Sequence, residues 1–229
     1  MSRWLPLLPG IAFPLLAHAS VIAASPAMSV ILAQAAVACL GLLVLWPLRR
    51  RPFLFLLPML ALLALTIWLS QHGGARLPLM LPPILFPGAL GLYFARSLGR
   101  GQMPLIERIV RAIHGGVLPD PQIPPYARRL TRVWALLLLG LAAWSLWLAL
   151  MATPGGLLST FGIAPRWPQP LARWSLFANL LNYLIIGAFF LLEYFWRRRQ
   201  FPDQPYDGIA DFLGRVARLG PSFWRGAGQ

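Results

Sequence analysis

Between Arg3 and Arg49 the chain carries no Asp, Glu, Lys or Arg, and its only basic group there is the imidazole of His18. As one helix this run would be more than twice the roughly 30 Å hydrocarbon thickness of a bilayer, at about 1.5 Å per residue. As a soluble segment it would have no polar face to give to water. Ser25-Pro26 supplies a break, so the run reads as a helical hairpin of two spans. The rest of the chain agrees: 58% of the 229 residues are apolar and 11% charged, against roughly a quarter charged in a typical soluble domain.

Apolar runs between charges give about six spans, near residues 6–24, 27–46, 53–70, 78–95, 133–152 and 174–196. The expected fold is therefore all-α, a polytopic helical membrane protein. Residues 1–196 form its membrane domain, with a loop at 96–132, and residues 197–229 form a basic tail. Pro82, Pro83 and Pro87 kink the fourth span. A secretory signal ending at Ala17-His18-Ala19 is the rival reading of the first span. Pro6, Pro9 and Pro14 suit a retained, kinked helix better. Trp4, Trp46, Trp68, Trp134, Trp174 and Trp196 fall near span ends, as an aromatic belt would.

All 20 basic residues are Arg, against 6 acids, for a net charge of +14. With six spans, 17 arginines fall on one side and three, Arg76, Arg166 and Arg173, on the other. The positive-inside rule then puts both termini and the 96–132 loop in the cytoplasm of a bacterial inner membrane. Because topology already accounts for the arginines, nucleic acid is not an expected partner.

Two cytoplasmic segments have helical periodicity. From Pro104 to His114, Ile106, Ile109, Val110 and Ile113 share one face, with Glu107 and Arg111 spaced i, i+4 and Gly115-Gly116 as a stop. In the tail, Asp207 is placed to cap a helix whose apolar face is Ile209, Phe212, Leu213, Val216 and Leu219. Both read as interfacial helices meeting anionic lipid. Arg96, Arg100, Arg108, Arg111, Arg128, Arg129, Arg132, Arg215 and Arg218 are the candidate lipid- or partner-docking residues.

Familiar catalytic patterns are missing from the sequence. His114 and Asp120 have five intervening residues, where the histidine–carboxylate pair of glycerolipid-type acyltransferases has four. Cys39 lies in a span without activating partners, so neither a thiolase-like site nor a Cys-based metal site is expected. No phosphate loop or zinc-protease motif is present, and no catalytic residue, cofactor or metal is assigned. Within the spans, His18, Gln34, Asn179, Asn182 and Glu193 form the candidate ligand, proton or packing cluster. Asn179, Ile186 and Glu193 are spaced by seven, and interhelical hydrogen bonding is the plain account of the polar set.

Several segments together resemble a known family. They are Tyr93-Phe94-Ala95-Arg96-Ser97-Leu98 running into Gly101-Gln102-Met103-Pro104-Leu105-Ile106, then Tyr126-Ala127-Arg128-Arg129-Leu130-Thr131-Arg132-Val133-Trp134. Phe177-Ala178-Asn179 and Glu193-Tyr194 follow, with weaker agreement at Phe13-Pro14-Leu15-Leu16-Ala17-His18. Over roughly residues 75–200 the chain resembles small bacterial inner-membrane proteins encoded among aryl-polyene and xanthomonadin-type pigment-lipid biosynthesis genes, some labelled "ketosynthase". The resemblance implies a supporting role in making or moving a polyene-acyl lipid, and it carries over no catalytic residues. Three expectations follow: a non-catalytic accessory protein docking soluble acyl-chain enzymes or anionic lipid; a lipid or small-solute transporter or flippase using spans one, two and six; or an acyl- or glycosyltransferase with an unfamiliar site around Glu107, His114 and Asp120.

Overall fold

The computed structural model describes residues 7–48, 50–71, 74, 76–116, 118, 120–201, 207–220 and 223. The fold is all-α. Its helices are α1 (Leu7–Ile22), α2 (Pro26–Leu45), α3 (Pro52–Gln71), α4 (Leu77–Met80), α5 (Pro82–Arg96), α6 (Leu105–Ile113), α7 (Ile123–Met151), α8 (Leu157–Thr160), α9 (Leu171–Leu176), α10 (Asn182–Gln200) and α11 (Ile209–Arg218). A 3₁₀ turn, Trp46–Leu48, follows α2, and a π turn, Phe177–Leu181, joins α9 to α10. Two-residue strands β1 (Ala152–Thr153) and β2 (Gln169–Pro170) pair in parallel and close the loop between α7 and α9.

Five helical stretches are long and apolar enough to cross a membrane: Pro26–Leu48, Pro52–Gln71, Leu77–Arg96, Ile123–Met151 and Leu171–Gln200. The sixth expected span, α1, is an apolar helix of 16 described residues. Its outward faces also read as membrane surface. On α3, Phe53 is 86% exposed and Leu57 71% exposed, while Thr66 is the buried side chain of that helix. A helix that turns leucine and phenylalanine outward and a threonine inward is built for a hydrocarbon solvent. This is a membrane protein.

The helix boundaries follow local chemistry. Ser25 caps α2, its Oγ accepting from the Met28 N–H at 3.2 Å, with Pro26 at the first helical position. Thus the break expected at Ser25-Pro26 is a helix start. The α6 helix ends at Gly115 and Gly116, whose φ values of 67° and 98° suit glycine alone. Two expectations shift. Helix α7 begins at Ile123, about ten residues before the apolar run, because Ile123, Ala127, Leu130, Thr131 and Trp134 give its polar first turns a buried face. Helix α11 is capped by Gly208 without a side-chain bond, so Asp207 lies outside the cap; Asp211, in the first turn, pairs with Arg215 at 3.0 Å instead.

The chain gathers into two compact units. The first holds residues 1–85 and 143–184. One of its cores sets Phe13 and Leu79 among smaller side chains, Ala17, Ala33, Ala36 and Val37. Alanines there let α1 and α2 approach closely, which is how helices gain packing energy without a hydrophobic driving force in lipid. Its other core joins Met80, Leu148, Ala149, Ala152, Leu171, Trp174 and Ala178.

The second unit holds residues 86–142 and 185–229. Leu130, Trp134 and Leu138 form its core with Phe94, Ile106, Phe189 and Phe190 around them. Trp134 meets Phe189 edge to face, centroids 4.7 Å apart. Trp134 and Trp174 are 8% and 1% exposed, so both are core residues despite their belt-like positions in the sequence. Gly91 lets α5 touch α7: a Cβ there would lie 2.9 Å from Leu139 Cγ and 3.0 Å from Leu139 N.

Candidate functional site

Two of the polar span residues meet in the first unit. His18 Nδ1 lies 3.0 Å from Ser175 Oγ, and Asn179 Nδ2 donates to the same hydroxyl at 3.2 Å. Ser175 and Asn179 are almost fully buried. Since Asn179 donates to the oxygen, the Ser175 proton is free to go to Nδ1 in the tautomer protonated at Nε2. Ser175 thus joins α1 to the helix that carries the asparagines.

Asn182 does something different. Its Nδ2 donates to the Pro83 carbonyl at 3.4 Å. That carbonyl is four residues before Pro87, which sits inside α5 and has no N–H to return. The amide therefore fills a helical hydrogen bond that proline deletes. Gln34 is engaged elsewhere again, its Oε1 accepting from Thr66 Oγ1 at 2.6 Å and tying α2 to α3. His18 and Asn179 thus share a partner, while Gln34 and Asn182 each serve separate contacts.

The polar groups are not fully satisfied. Asn179 Oδ1, Asn182 Oδ1, Ser145 Oγ and Trp174 Nε1 are buried without a hydrogen-bond partner among the described residues. Asn179 also lies on the π turn, which closes with the Asn182 N–H bonded to the Phe177 carbonyl. The turn adds one residue to the helix, so Asn179 is out of phase with the seven-residue spacing that linked it to Ile186 and Glu193.

Glu193 lies in the second unit. It accepts from Arg197 Nε at 2.7 Å and from the Tyr126 hydroxyl at 3.2 Å. The paired side chains are 8% and 9% exposed. The sequence places Glu193 beside Arg197; Tyr126, on the first turns of α7, is the partner that spacing could not reveal. Arg197 also stacks over Phe212, centroid 4.9 Å away, which holds α11 against α10.

The loop expected to lie on lipid is fastened to protein. The α6 backbone N–H groups of Leu105 and Ile106 donate to Ser97 Oγ at 3.0 Å and Thr131 Oγ1 at 3.4 Å. Arg108 reaches the Tyr93 hydroxyl at 3.1 Å, and Ile106 packs beside the core of this unit. Glu107 pairs with Arg111 at 2.8 Å, Asp120 closes a turn onto the Gln122 N–H, and His114 Nδ1 bonds the Val110 carbonyl. Those three residues are therefore engaged separately rather than assembled as an acid–base set.

Of the nine docking arginines, Arg108, Arg111, Arg128 and Arg215 have protein partners, Arg128 donating to the Leu98 carbonyl at 3.1 Å. Arg96, Arg100, Arg129, Arg132 and Arg218 are exposed with none among the described residues. The described carboxylates on helices, Glu107, Glu193 and Asp211, each face the arginine four residues on. Every unpaired charge left on these elements is positive.

Sequence reasoning also passed over Arg76. Its Nη2 donates to Ser29 Oγ at 2.7 Å and to the Ser20 carbonyl at 3.3 Å. Partial burial pushes its guanidinium below the usual arginine range. No three His, Cys, Asp or Glu side chains gather as a metal site among the described residues. No family model, curated protein or solved structure matches this chain.

Proposed function

We propose that this is a non-catalytic accessory protein of a bacterial inner membrane, supporting the making or assembly of a polyene-acyl lipid. In this reading both termini and the 96–132 loop are on the cytoplasmic side, which the distribution of 17 and three arginines across six spans supports. Its working surface is the set of unpaired arginines at 96–132, which docks an anionic partner, either soluble acyl-chain enzymes or the inner leaflet's lipids.

One observation carries this reading. On α7, Arg128, Arg129 and Arg132 line the exposed side of the turns whose other side is buried through Ala127, Leu130 and Thr131. A helix this firmly seated presents its cations at fixed positions, each contributing about 1 kcal/mol toward an anionic surface. The resemblance over residues 93–134 covers the same segment. The buried polar groups favour packing over transport, since His18, Gln34, Asn182 and Glu193 each make a protein contact.

The test uses Arg129→Gln with Arg132→Gln, because both are exposed and neither has a hydrogen bond or ion pair to lose among the described residues. Native-membrane co-purification and lipid profiling are the readouts. Loss of a biosynthetic partner together with lower polyene-lipid yield is expected. Wild-type product, with no partner recovered with either protein, would overturn the proposal.

A further inference from the structure

The first unit has a cationic cavity and no acid to neutralise it. Residues of the turn between α1 and α2 meet there with Ser70 near the end of α3, Arg76 just before α4 and Gly155 after α7. They line an open cavity of about 350 Å³ whose wall includes Ala23, Ser25, Ser29, Ser70, Arg76 and Gly155. Every wall residue lies at or within about a turn of a helix end, so the cavity is where apolar spans give way to polar headgroups.

Arg76 is the one ionisable side chain in that wall among the described residues. Only Nη2 is bonded; Nη1 and Nε make no hydrogen bond among the described residues. The Nη2 contacts fix the fork in place, because Ser29 Oγ also donates to the Ser20 carbonyl at 2.7 Å. That carbonyl belongs to the last turn of α1, where no helical N–H reaches it. The guanidinium is therefore held from one side by serine and a helix end, with its remaining donors unused among the described residues.

The sequence explains why no salt bridge forms. The first acid in the chain is Glu107, and residues 143–184 contain none, so this unit has no carboxylate at all. A half-buried cation is costly without a counter-charge. The counter-charge must then come from outside the unit. A planar fork with parallel donors best fits the oxygens of a phosphate. The α2 N-terminus, at Ser25 and Pro26, adds its positive dipole end to the same wall.

We propose that this cavity is a binding site for the phosphate of an anionic lipid headgroup, with Arg76 as its principal ligand. This reading is independent of the arginine surface at 96–132, and either can fail alone. The neighbouring hydroxyls of Ser25 and Ser70 widen the polar wall, while Val30 gives the acyl side an apolar lip.

Native mass spectrometry of the full chain in detergent, with added phosphatidylglycerol or phosphatidylcholine, tests it. The wild type should retain phosphatidylglycerol preferentially, and Arg76→Gln should lower that retention about tenfold, the equivalent of one charge-assisted contact. Arg76→Lys should restore part of it. Val30→Trp, which fills the cavity and leaves the Arg76 bonds alone, should lower it too, and supplies the test if Arg76→Gln does not fold. Displacement of the lipid by millimolar inorganic phosphate would identify the phosphate group alone as the ligand; retention would identify the esterified headgroup. Equal retention by the wild type, Arg76→Gln and Val30→Trp would overturn the site.

Discussion

If Asn182 serves as the missing N–H of Pro87, the two residues must be thermodynamically coupled. Asn182→Leu removes the amide while keeping the same number and branching of side-chain heavy atoms, and leaves the Pro83 carbonyl without its 3.4 Å donor. Hydrogen bonds between lipid-embedded helices average about 0.6 kcal/mol and reach about 1.7, whereas an acceptor left unmade in a buried site costs about 1–3 kcal/mol. A loss of about 1–2 kcal/mol is expected. The same substitution also deletes the partnerless Oδ1, a gain that would mask part of the loss in a single mutant. Pro87→Ala resolves this, since it returns an N–H to the Pro83 carbonyl. In that background Asn182→Leu forfeits nothing at the carbonyl, while the Oδ1 gain is unchanged. The cycle should therefore give a coupling of about 1 kcal/mol, measured by tryptophan fluorescence during equilibrium unfolding in mixed micelles of mild detergent and SDS. Equal costs for Asn182→Leu in both backgrounds, within about 0.3 kcal/mol, would refute the reasoning.

Three further outcomes are expected. Gly91→Ala should destabilise by about 1–3 kcal/mol, because its Cβ meets the Leu139 backbone, while Gly140→Ala, with open space around it, should be neutral or stabilising in the same unfolding assay. Glu193→Gln, which neutralises a pair 8–9% exposed, should cost more than Asp211→Asn, in a pair 37–40% exposed, which should cost under about 1 kcal/mol; comparable losses would contradict the burial difference. In a Cys39→Ala background, Gln122→Cys and Phe161→Cys should react with a membrane-impermeant thiol reagent from opposite sides of the membrane. Labelling of both from the same side would refute the proposed topology.

The spans were readable because lipid imposes a simple rule of length and apolarity, and four helix starts fall within a few residues of their expected positions. The start of α7 was hidden because Arg128, Arg129 and Arg132 interrupt its hydropathy, although its buried face continues to Ile123. The i, i+4 ion pairs of Glu107 and Glu193 were also legible, being local. What the sequence withheld was pairing between distant elements, such as His18 with Ser175 and Gln34 with Thr66. The role of Asn182 lay halfway: Pro87 announces an orphaned carbonyl at Pro83, but only the fold says which side chain answers it. Arg76 was overlooked as one of three arginines on the sparse side. The lack of any acid before Glu107 or within residues 143–184 was the clue that it had no carboxylate partner in its own unit.

The π turn at Phe177–Leu181 holds one residue more than an α-helical turn would. Deleting a single residue there would restore regular helix while rotating Leu171–Leu176 by about 100° about the axis. Trp174 would leave its core and Ser175 would turn from His18, yet everything from Asn182 onward would keep its register. The turn thus acts as a vernier, a place where the chain can change length by one and express the change as rotation on one side only. Insertions and deletions among relatives of this protein should cluster there, and in the long connection before α9, rather than in the helix beyond.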